Sequence, residues 1–223
     1  MIKLSPERLG QIKELLALTL LGLFSSFSGS LLLKEGVKNV AFQNSNSFVR
    51  AYFNFQHLIH YPLNVLFVVL APTLWLLALF ARRPLPRVMF DVVGALFVAR
   101  LMVGFVFVNL LVFAPAVGPS LLLGQILAYI PFFVMTWGWL MWRIDCQGRE
   151  SAQQIIAIPE AQGAITSFDY YHASINSVIH QGKSGFKGVT RTGRFLGMVH
   201  SLMVLDVLGI ALVRAYGLVQ KML

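Results

Sequence analysis

Residues 58–80 read LIHYPLNVLFVVLAPTLWLLALF, without a single Asp, Glu, Lys or Arg. An apolar run of about 18 or more residues can cross the roughly 30 Å hydrocarbon core of a bilayer as a helix. The run contains Pro62 and Pro72, which membrane helices tolerate where neighbouring helices re-satisfy the freed carbonyls, so we expect a kinked helix. This stretch predicts a membrane-spanning helix and decides the class of the fold.

Four further apolar runs lie on either side of this stretch. They cover about residues 15–33, 88–113, 121–142 and 195–218. The whole chain is 57% hydrophobic and only 12% charged, whereas soluble domains are about a quarter charged. The sequence therefore predicts an all-α, polytopic membrane helix bundle with about five transmembrane helices. We expect one membrane domain over residues 1–223, with a three-helix part at 1–118 and a second part at 119–223.

The basic residues lie mainly at the ends of the apolar runs, although the chain carries a formal net charge of +9. A nucleic-acid-binding protein would instead cluster them on one face, so no nucleic-acid partner is expected and the lipid bilayer is the expected one. With five spans, twelve Lys and Arg residues fall on one side and four on the other. The positive-inside rule then predicts a cytoplasmic N-terminus, in a bacterial inner membrane.

The first apolar run carries Gly22, Ser26 and Ser30 at four-residue spacing, which places them on one helix face. Small residues allow close contact between helices in lipid. Two interpretations stay open, a contact face for another helix and a chance scatter of small residues.

A short segment before the last run differs from all the others. Residues 168–194 read FDYYHASINSVIHQGKSGFKGVTRTGR. Apolar residues recur there at helical spacing, but the run of about 14 residues is too short to cross a bilayer. They are Phe168, Tyr171, Ile175 and Val178. The segment predicts a short re-entrant or interfacial helix, followed by a glycine-rich turn.

This segment resembles the pore module of the tetrameric potassium-channel superfamily, which comprises an outer helix, a short pore helix, a filter loop and an inner helix. The resemblance covers roughly residues 121–218 and needs no gap in the motif. The residues that match the pore helix, the first filter glycine and the start of the inner helix are Phe168, Asp169, Ser174, Gly182, Thr190, Gly193 and Arg194. It implies an ion-channel-like homo-oligomer of four chains.

The candidate filter loop departs from the family's pattern. It consists of His180, Gln181, Gly182, Lys183, Ser184 and Gly185. A potassium filter replaces the water shell of the ion with backbone carbonyls, and the ammonium group of Lys183 would repel or replace the cation. The charge rule also places this loop on the cytoplasmic side, whereas the family's filter loop enters from outside.

Two function classes follow from this departure. The first is an ion-channel-like membrane protein with a degenerate filter loop, in which a changed selectivity, a closed pore and a non-conducting relative all stay open. The second is a non-conducting membrane subunit that anchors or organises a larger complex with unlike chains.

Two ionisable residues lie near the middle of predicted spans, Arg100 in the third and Asp206 in the last. Charges inside a membrane are costly, so they indicate function or a specific partner. A mutual ion pair that fixes helix packing and a place on an ion or proton path are the two interpretations.

The sequence contains no pattern that indicates an enzyme. No Ser/His/Asp order, paired carboxylates or metal-ligand spacing stands out, and the single Cys146 can form neither an internal disulfide nor a zinc site alone. Haem ligation is not expected, because the five-span topology places His57 and His60 at the opposite side from His200. We therefore expect no catalytic residue, no metal and no cofactor.

Overall fold

The computed structural model describes residues 6–36, 47–80, 85–113, 119–150, 153–160, 165–180, 185–213 and 216–217. Within these ranges the protein is an all-α helical bundle, which confirms the predicted fold class. Four of the described helices are long and apolar enough to cross a membrane. These segments are Arg8–Phe27, His57–Phe80, Arg87–Leu110 and Leu123–Glu150. The chain is thus a polytopic integral membrane protein.

The helices extend beyond the apolar runs that predict them. Their bounds are α1 Pro6–Gly36, α2 Ser47–Phe80, α3 Arg87–Phe113, α4 Pro119–Glu150, α5 Ser167–Ile179 and α6 Arg191–Val204, which continues as a π-helix over Leu205–Leu212. Two short strands lie between them, β1 Ile156–Ala157 and β2 Lys187–Gly188. The fifth predicted span begins within α6. Since α6 is not among the four candidate spans in the described part of the chain, this fifth span stays a prediction.

The chain divides into two compact units, unit 1 over Met1–Arg100 and unit 2 over Leu101–Leu223. The division lies inside α3, whereas the sequence suggested one after residue 118. In unit 1, α1 packs closely on α2. A Cβ atom at Gly22 would lie 1.9 Å from Cε2 of Phe67, and Trp75 Nε1 donates to Thr19 Oγ1 over 3.0 Å. Gly22 and Ser26 of the small-residue face therefore contact α2, whereas Ser30 is exposed.

Polar side chains of α1 hold the start of α3. Gln11 Nε2 donates to the Leu85 carbonyl over 2.9 Å, and the Leu85 N–H donates to Gln11 Oε1 over 3.0 Å. One turn further, Arg87 Nη1 donates to Glu14 Oε2 over 2.8 Å. Gln11 thus satisfies both backbone groups of a buried residue just before α3, which removes the cost of leaving them unbonded.

In unit 2, the short helix α5 packs on α4 mainly through small side chains. The buried residues are Tyr170, Ala173, Ser174 and Ser177. Of the predicted apolar face, Tyr171 packs against Gly138 of α4. Phe168 of the same face is 71% exposed, and Ile175 is exposed as well. Small side chains permit this close helix contact.

A two-stranded antiparallel sheet connects the ends of α4 and α6. Ile156 pairs with Gly188, and Ala157 pairs with Lys187. A Cβ atom at Gly188 would lie 2.2 Å from the Arg194 backbone nitrogen, and one at Gly193 would lie 2.2 Å from the Ile155 carbonyl oxygen. These two glycines are therefore needed where backbone segments approach each other.

Candidate functional site

The short helix α5 begins with a side-chain cap. Asp169 Oδ2 accepts hydrogen bonds from the Thr166 N–H over 2.6 Å and from Thr166 Oγ1 over 2.8 Å. This is the carboxylate half of a capping box, which satisfies a backbone donor that the helix leaves unbonded. The hydrogen bond from the Thr166 N–H holds the pKa of Asp169 below its ordinary value. Asp169, a predicted pore-helix residue, thus has a structural role at the helix start.

The two described ends of the candidate filter loop both lie on α5. His180 caps the helix, and its N–H donates to the Asn176 carbonyl over 2.9 Å. Gly185, the next described residue, donates its N–H to Ser177 Oγ over 2.9 Å. A Cβ atom at Gly185 would lie 2.7 Å from the Ala173 carbonyl oxygen, so the backbone packs directly on the helix.

The other four filter-loop candidates, Gln181, Gly182, Lys183 and Ser184, lie outside the described residues. Phe168, the remaining pore-helix candidate on the exposed side, stacks on the ring of His172 with a centroid distance of 6.4 Å. Ser174 lies on the buried side of α5. The structure therefore places the pore-helix candidates on different faces of one helix.

Behind Ser174 lies a fully buried histidine, His200 of α6. Its Nε2 atom is 3.4 Å from Ser174 Oγ. The imidazole stacks on Phe133 at 5.3 Å and meets the rings of Trp137 and Phe186 edge-on at 5.2 and 5.3 Å. Its Nδ1 atom has no hydrogen-bond partner among the described residues. An imidazole so enclosed joins α4, α5 and α6 into one packed group.

A second buried group in unit 2 is centred on the carboxylate of Asp145. Its Oδ1 atom accepts from the backbone N–H groups of Ile155 and Ile156 over 2.9 and 2.8 Å. Its Oδ2 atom accepts from Arg149 Nε over 2.8 Å and from the Tyr170 hydroxyl. Burial raises the pKa of Tyr170, and its hydrogen bond to Asp145 adds to this shift. The group joins α4, β1 and α5, and both carboxylate oxygens are bonded.

In unit 1, the predicted intramembrane cation Arg100 meets α1 and α2. Its Nη2 atom donates to the Ser25 carbonyl over 3.2 Å and lies 3.0 Å from His60 Nδ1. The other ring nitrogen, His60 Nε2, lies 2.8 Å from the side-chain amide of Asn64. That amide in turn lies 2.9 Å from Ser26 Oγ. Four polar side chains therefore form a connected path from α3 through α2 to α1.

The chemistry of Arg100 sets the protonation of this path. A guanidinium only donates hydrogen bonds, so His60 Nδ1 accepts and the neutral ring carries its proton on Nε2. In the structure Asn64 Nδ2 faces His60 Nε2 over 2.8 Å, and Asn64 Oδ1 accepts from Ser26 Oγ over 2.9 Å. Because Nε2 of this tautomer donates, the hydrogen bonds are satisfied when the two ends of the Asn64 amide, which have nearly the same shape, are exchanged.

Arg100 also lines a cavity of about 50 Å³ in unit 1. The other lining residues come from α1, α2 and α3 and are mostly apolar. They are Gly22, Ser25, Ser26, Leu63, Leu66, Phe67, Leu70, Val93, Leu96 and Phe97. The hydroxyl of Ser25 is buried and has no hydrogen-bond partner among the described residues. The cavity thus combines apolar walls with one cation and one unbonded hydroxyl.

Asp206, the second predicted intramembrane charge, lies in unit 2. Its Oδ2 atom accepts from Asn109 Nδ2 over 2.7 Å. Arg100 and Asp206 each have neutral polar partners within their own unit, and their mutual ion pair stays a prediction.

Metal ligands do not gather in the described part of the chain, where no group of three or more His, Cys, Asp or Glu side chains could hold a metal ion. His60 bonds within the Arg100 path, and His172 Nδ1 lies 4.0 Å from Glu160 Oε2.

Comparisons with known proteins give no assignment. The chain matches no protein-family model, no curated protein and no solved structure. The likeness to a potassium-channel pore module therefore depends on the sequence match from Phe168 to Arg194 and on the order of the helices.

Sequence reasoning identified Arg100 from the cost of a charge within a span, but it did not find His60, Asn64 and Ser25 as its neighbours. The Asp145 group was not predicted from the sequence either. The sequence signal that pointed to it was the four-residue spacing of Asp145 and Arg149, which places an acid and a base on the same helix face.

Proposed function

We propose that the protein is an ion-channel-like membrane protein, in which several copies bring the loop after α5 to a shared axis. The order of elements in unit 2 supports this proposal. The 32-residue helix α4 is followed by the 13-residue helix α5, the loop and α6. At about 1.5 Å per residue, α5 is only about 20 Å long and cannot cross a roughly 30 Å bilayer. A long helix, a short helix, a loop and a further helix is the order that the pore-module resemblance implies.

The electrostatics of α5 favour a cation at the loop. The last carbonyl groups of a helix carry a partial negative charge, and α5 ends at Ile179, just before the candidate filter loop. Lys183 lies four residues beyond this end in the sequence. We infer that its ammonium group takes the place of a permeant cation, so that conduction requires its displacement and potassium selectivity is lost.

The test is ion flux through the full-length protein in liposomes under separate potassium, sodium and chloride gradients. Lys183→Ala is expected to raise cation flux at least several-fold. Lys187→Ala is the matched control, because Lys187 is an exposed lysine on β2 of the same turn. If neither the wild-type protein nor Lys183→Ala conducts any of the three ions while both remain folded and inserted, the pore proposal fails.

A second candidate is the non-conducting subunit that anchors or organises a larger membrane complex. Its supporting observation is that Gly185 packs on the backbone of Ala173 and bonds to Ser177, so the loop returns to its own helix. Native mass spectrometry of the complex extracted from its membrane separates the two candidates. A tetramer of this chain favours the pore, and stable association with unlike chains favours the subunit.

The side of the membrane that the loop faces is also a proposal. The charge rule favours a bacterial inner membrane with a cytoplasmic N-terminus and loop. Labelling of Ser184→Cys in a Cys146→Ser background with a membrane-impermeant reagent tests it in intact cells. Labelling from outside would contradict the cytoplasmic loop and agree with the orientation usual for the potassium-channel superfamily.

A further inference from the structure

The cavity of unit 1 has unused hydrogen-bond donors. Arg100 uses only its Nη2 nitrogen in contacts with the protein, so its Nε–H and Nη1–H groups have no partner among the described residues. Ser25 is 3% exposed, and its hydroxyl has no partner there either. Both residues line the same cavity. A cationic side chain and a neutral hydroxyl, both with donors unused by the described residues, thus line one cavity.

The charge of Arg100 has no acidic partner in the described part of unit 1. Among the described side chains of this unit, no carboxylate forms an ion pair with it, and Glu14 is paired with Arg87 instead. His60 accepts from Arg100 as a neutral ring and adds no negative charge. A charge inside a membrane is costly, and ionisable groups there pair with opposite charges, with backbone carbonyls or with water. Of these, the described part of unit 1 supplies the Ser25 carbonyl, so an anion in the cavity would complete the pairing.

The size and walls of the cavity define the anion. One water needs about 10–15 Å³ by this measure, so a cavity of about 50 Å³ accepts a group of about three heavy atoms. A guanidinium forms strong, charge-assisted hydrogen bonds to carboxylate oxygens. The remaining walls are apolar, and two of the lining residues, Leu66 and Leu96, are 44% and 45% exposed, so the cavity reaches the surface beside α2 and α3.

We propose that this cavity binds a carboxylate at the head of an apolar chain, as in a long-chain fatty acid that enters from the lipid. Arg100 supplies the opposite charge and donates from one of its unused nitrogens to one oxygen, and Ser25 donates to the other. The apolar chain leaves between Leu66 and Leu96. All residues of this site lie in unit 1, so the proposal is independent of the loop in unit 2.

The test uses the full-length protein in nanodiscs of zwitterionic lipid from which free fatty acids have been removed. Binding of radiolabelled oleate is measured for the wild-type protein and for three variants. Arg100→Met is expected to weaken binding at least tenfold, and Ser25→Ala three- to tenfold, in line with the loss of a charged and a neutral hydrogen bond. Arg50→Met is the matched control, because it removes an exposed cation of the same unit, and it should leave binding unchanged.

Two further ligands identify what is recognised. Methyl oleate carries the same chain without the charge and should bind no better to the wild-type protein than to Arg100→Met. Acetate in millimolar excess tests whether the carboxylate comes from the lipid or from water. Competition of acetate with oleate would indicate that the site also accepts carboxylates from water. Equal binding of oleate to the wild-type protein, Arg100→Met and Ser25→Ala would overturn the proposal. So would a lack of oleate binding by folded wild-type protein.

Discussion

Each unit buries a polar group between helices. The two groups differ in how many of their hydrogen-bonding atoms have a partner. In unit 2, the carboxylate of Asp145 accepts four bonds from α4, α5 and the chain at β1. In unit 1, Arg100 uses one of its three nitrogens, and the hydroxyl of Ser25 has no partner in the described part of the chain. A complete group holds a fold together. An incomplete group beside a cavity retains the capacity to bind a ligand.

The largest effect is expected from Asp145→Asn. The change keeps the shape of the side chain, but it removes the charge and places an amide among four donors. Because the Asp145 side chain is 0% exposed and the nitrogen of an Asn amide accepts no hydrogen bond, buried donors lose their acceptor, and we expect the free energy of unfolding to fall by about 2–4 kcal/mol. Equilibrium unfolding in mixed micelles measures it. Glu160→Gln removes a carboxylate that is 63% exposed and should change stability by less than about 0.5 kcal/mol. Equal stability of the two variants would mean that the Asp145 group is not structural.

The second test asks whether the cavity of unit 1 merely reflects loose packing. Gly22→Ala places a methyl group where the ring of Phe67 lies, and overpacking of this kind costs about 1–3 kcal/mol. Gly10→Ala is the matched control on the same helix, because a Cβ atom there has no neighbour within 4 Å. It should stabilise the protein by about 0.5–1 kcal/mol. If Gly22→Ala behaves like Gly10→Ala, α1 and α2 are not closely packed and the cavity has no fixed shape.

The third test compares the two polar groups directly. Arg100→Met removes a charge that has no acidic partner among the described residues of unit 1, which favours the folded state. It also leaves His60 Nδ1 without a donor, which opposes it. These terms partly cancel, so we expect the free energy of unfolding to change by less than about 1 kcal/mol without ligand. The same unfolding measurement applies. A loss as large as that of Asp145→Asn would show that Arg100 serves the fold, and the contrast between the units would disappear.

The helices of this protein could be predicted from sequence because hydropathy and length decide which segments cross a membrane. The buried face of α5 could not. Apolar periodicity identifies the buried face of a helix in water, but α5 leaves Phe168 and Ile175 exposed and buries Ala173 and Ser174, whose small side chains allow close helix contact.

The candidate site in unit 1 was predictable only in part. Arg100 is conspicuous because charges are rare within spans, but His60 lies 40 residues away in the sequence and only the packing of α2 on α3 brings the two together. Asp145 follows the predicted span of residues 121–142, in a polar flank where acidic residues are ordinary, so its spacing from Arg149 alone did not indicate a buried carboxylate.

The smallest effect is expected at the solvent-facing start of α5, where Asp169 caps the helix. Its pKa is lowered in the folded protein, so its carboxylate stabilises the fold at neutral pH, and this contribution is lost as the pH falls through that lowered pKa. Asp169→Asn should therefore speed hydrogen exchange of the first α5 amides at pH 7. In acid, the free energy of local opening that this exchange reports should become the same for the variant and the wild-type protein. Since the group faces solvent, the global free energy of unfolding should change by at most about 0.5 kcal/mol.

Glu150→Gln, which changes an exposed acid at the end of α4, should leave exchange in α5 unchanged. A difference between Asp169→Asn and the wild-type protein that persisted undiminished in acid would mean that the charge of Asp169 is not what orders the start of the helix. Its capping role would then fail, and its match to the pore-helix pattern would again need an explanation.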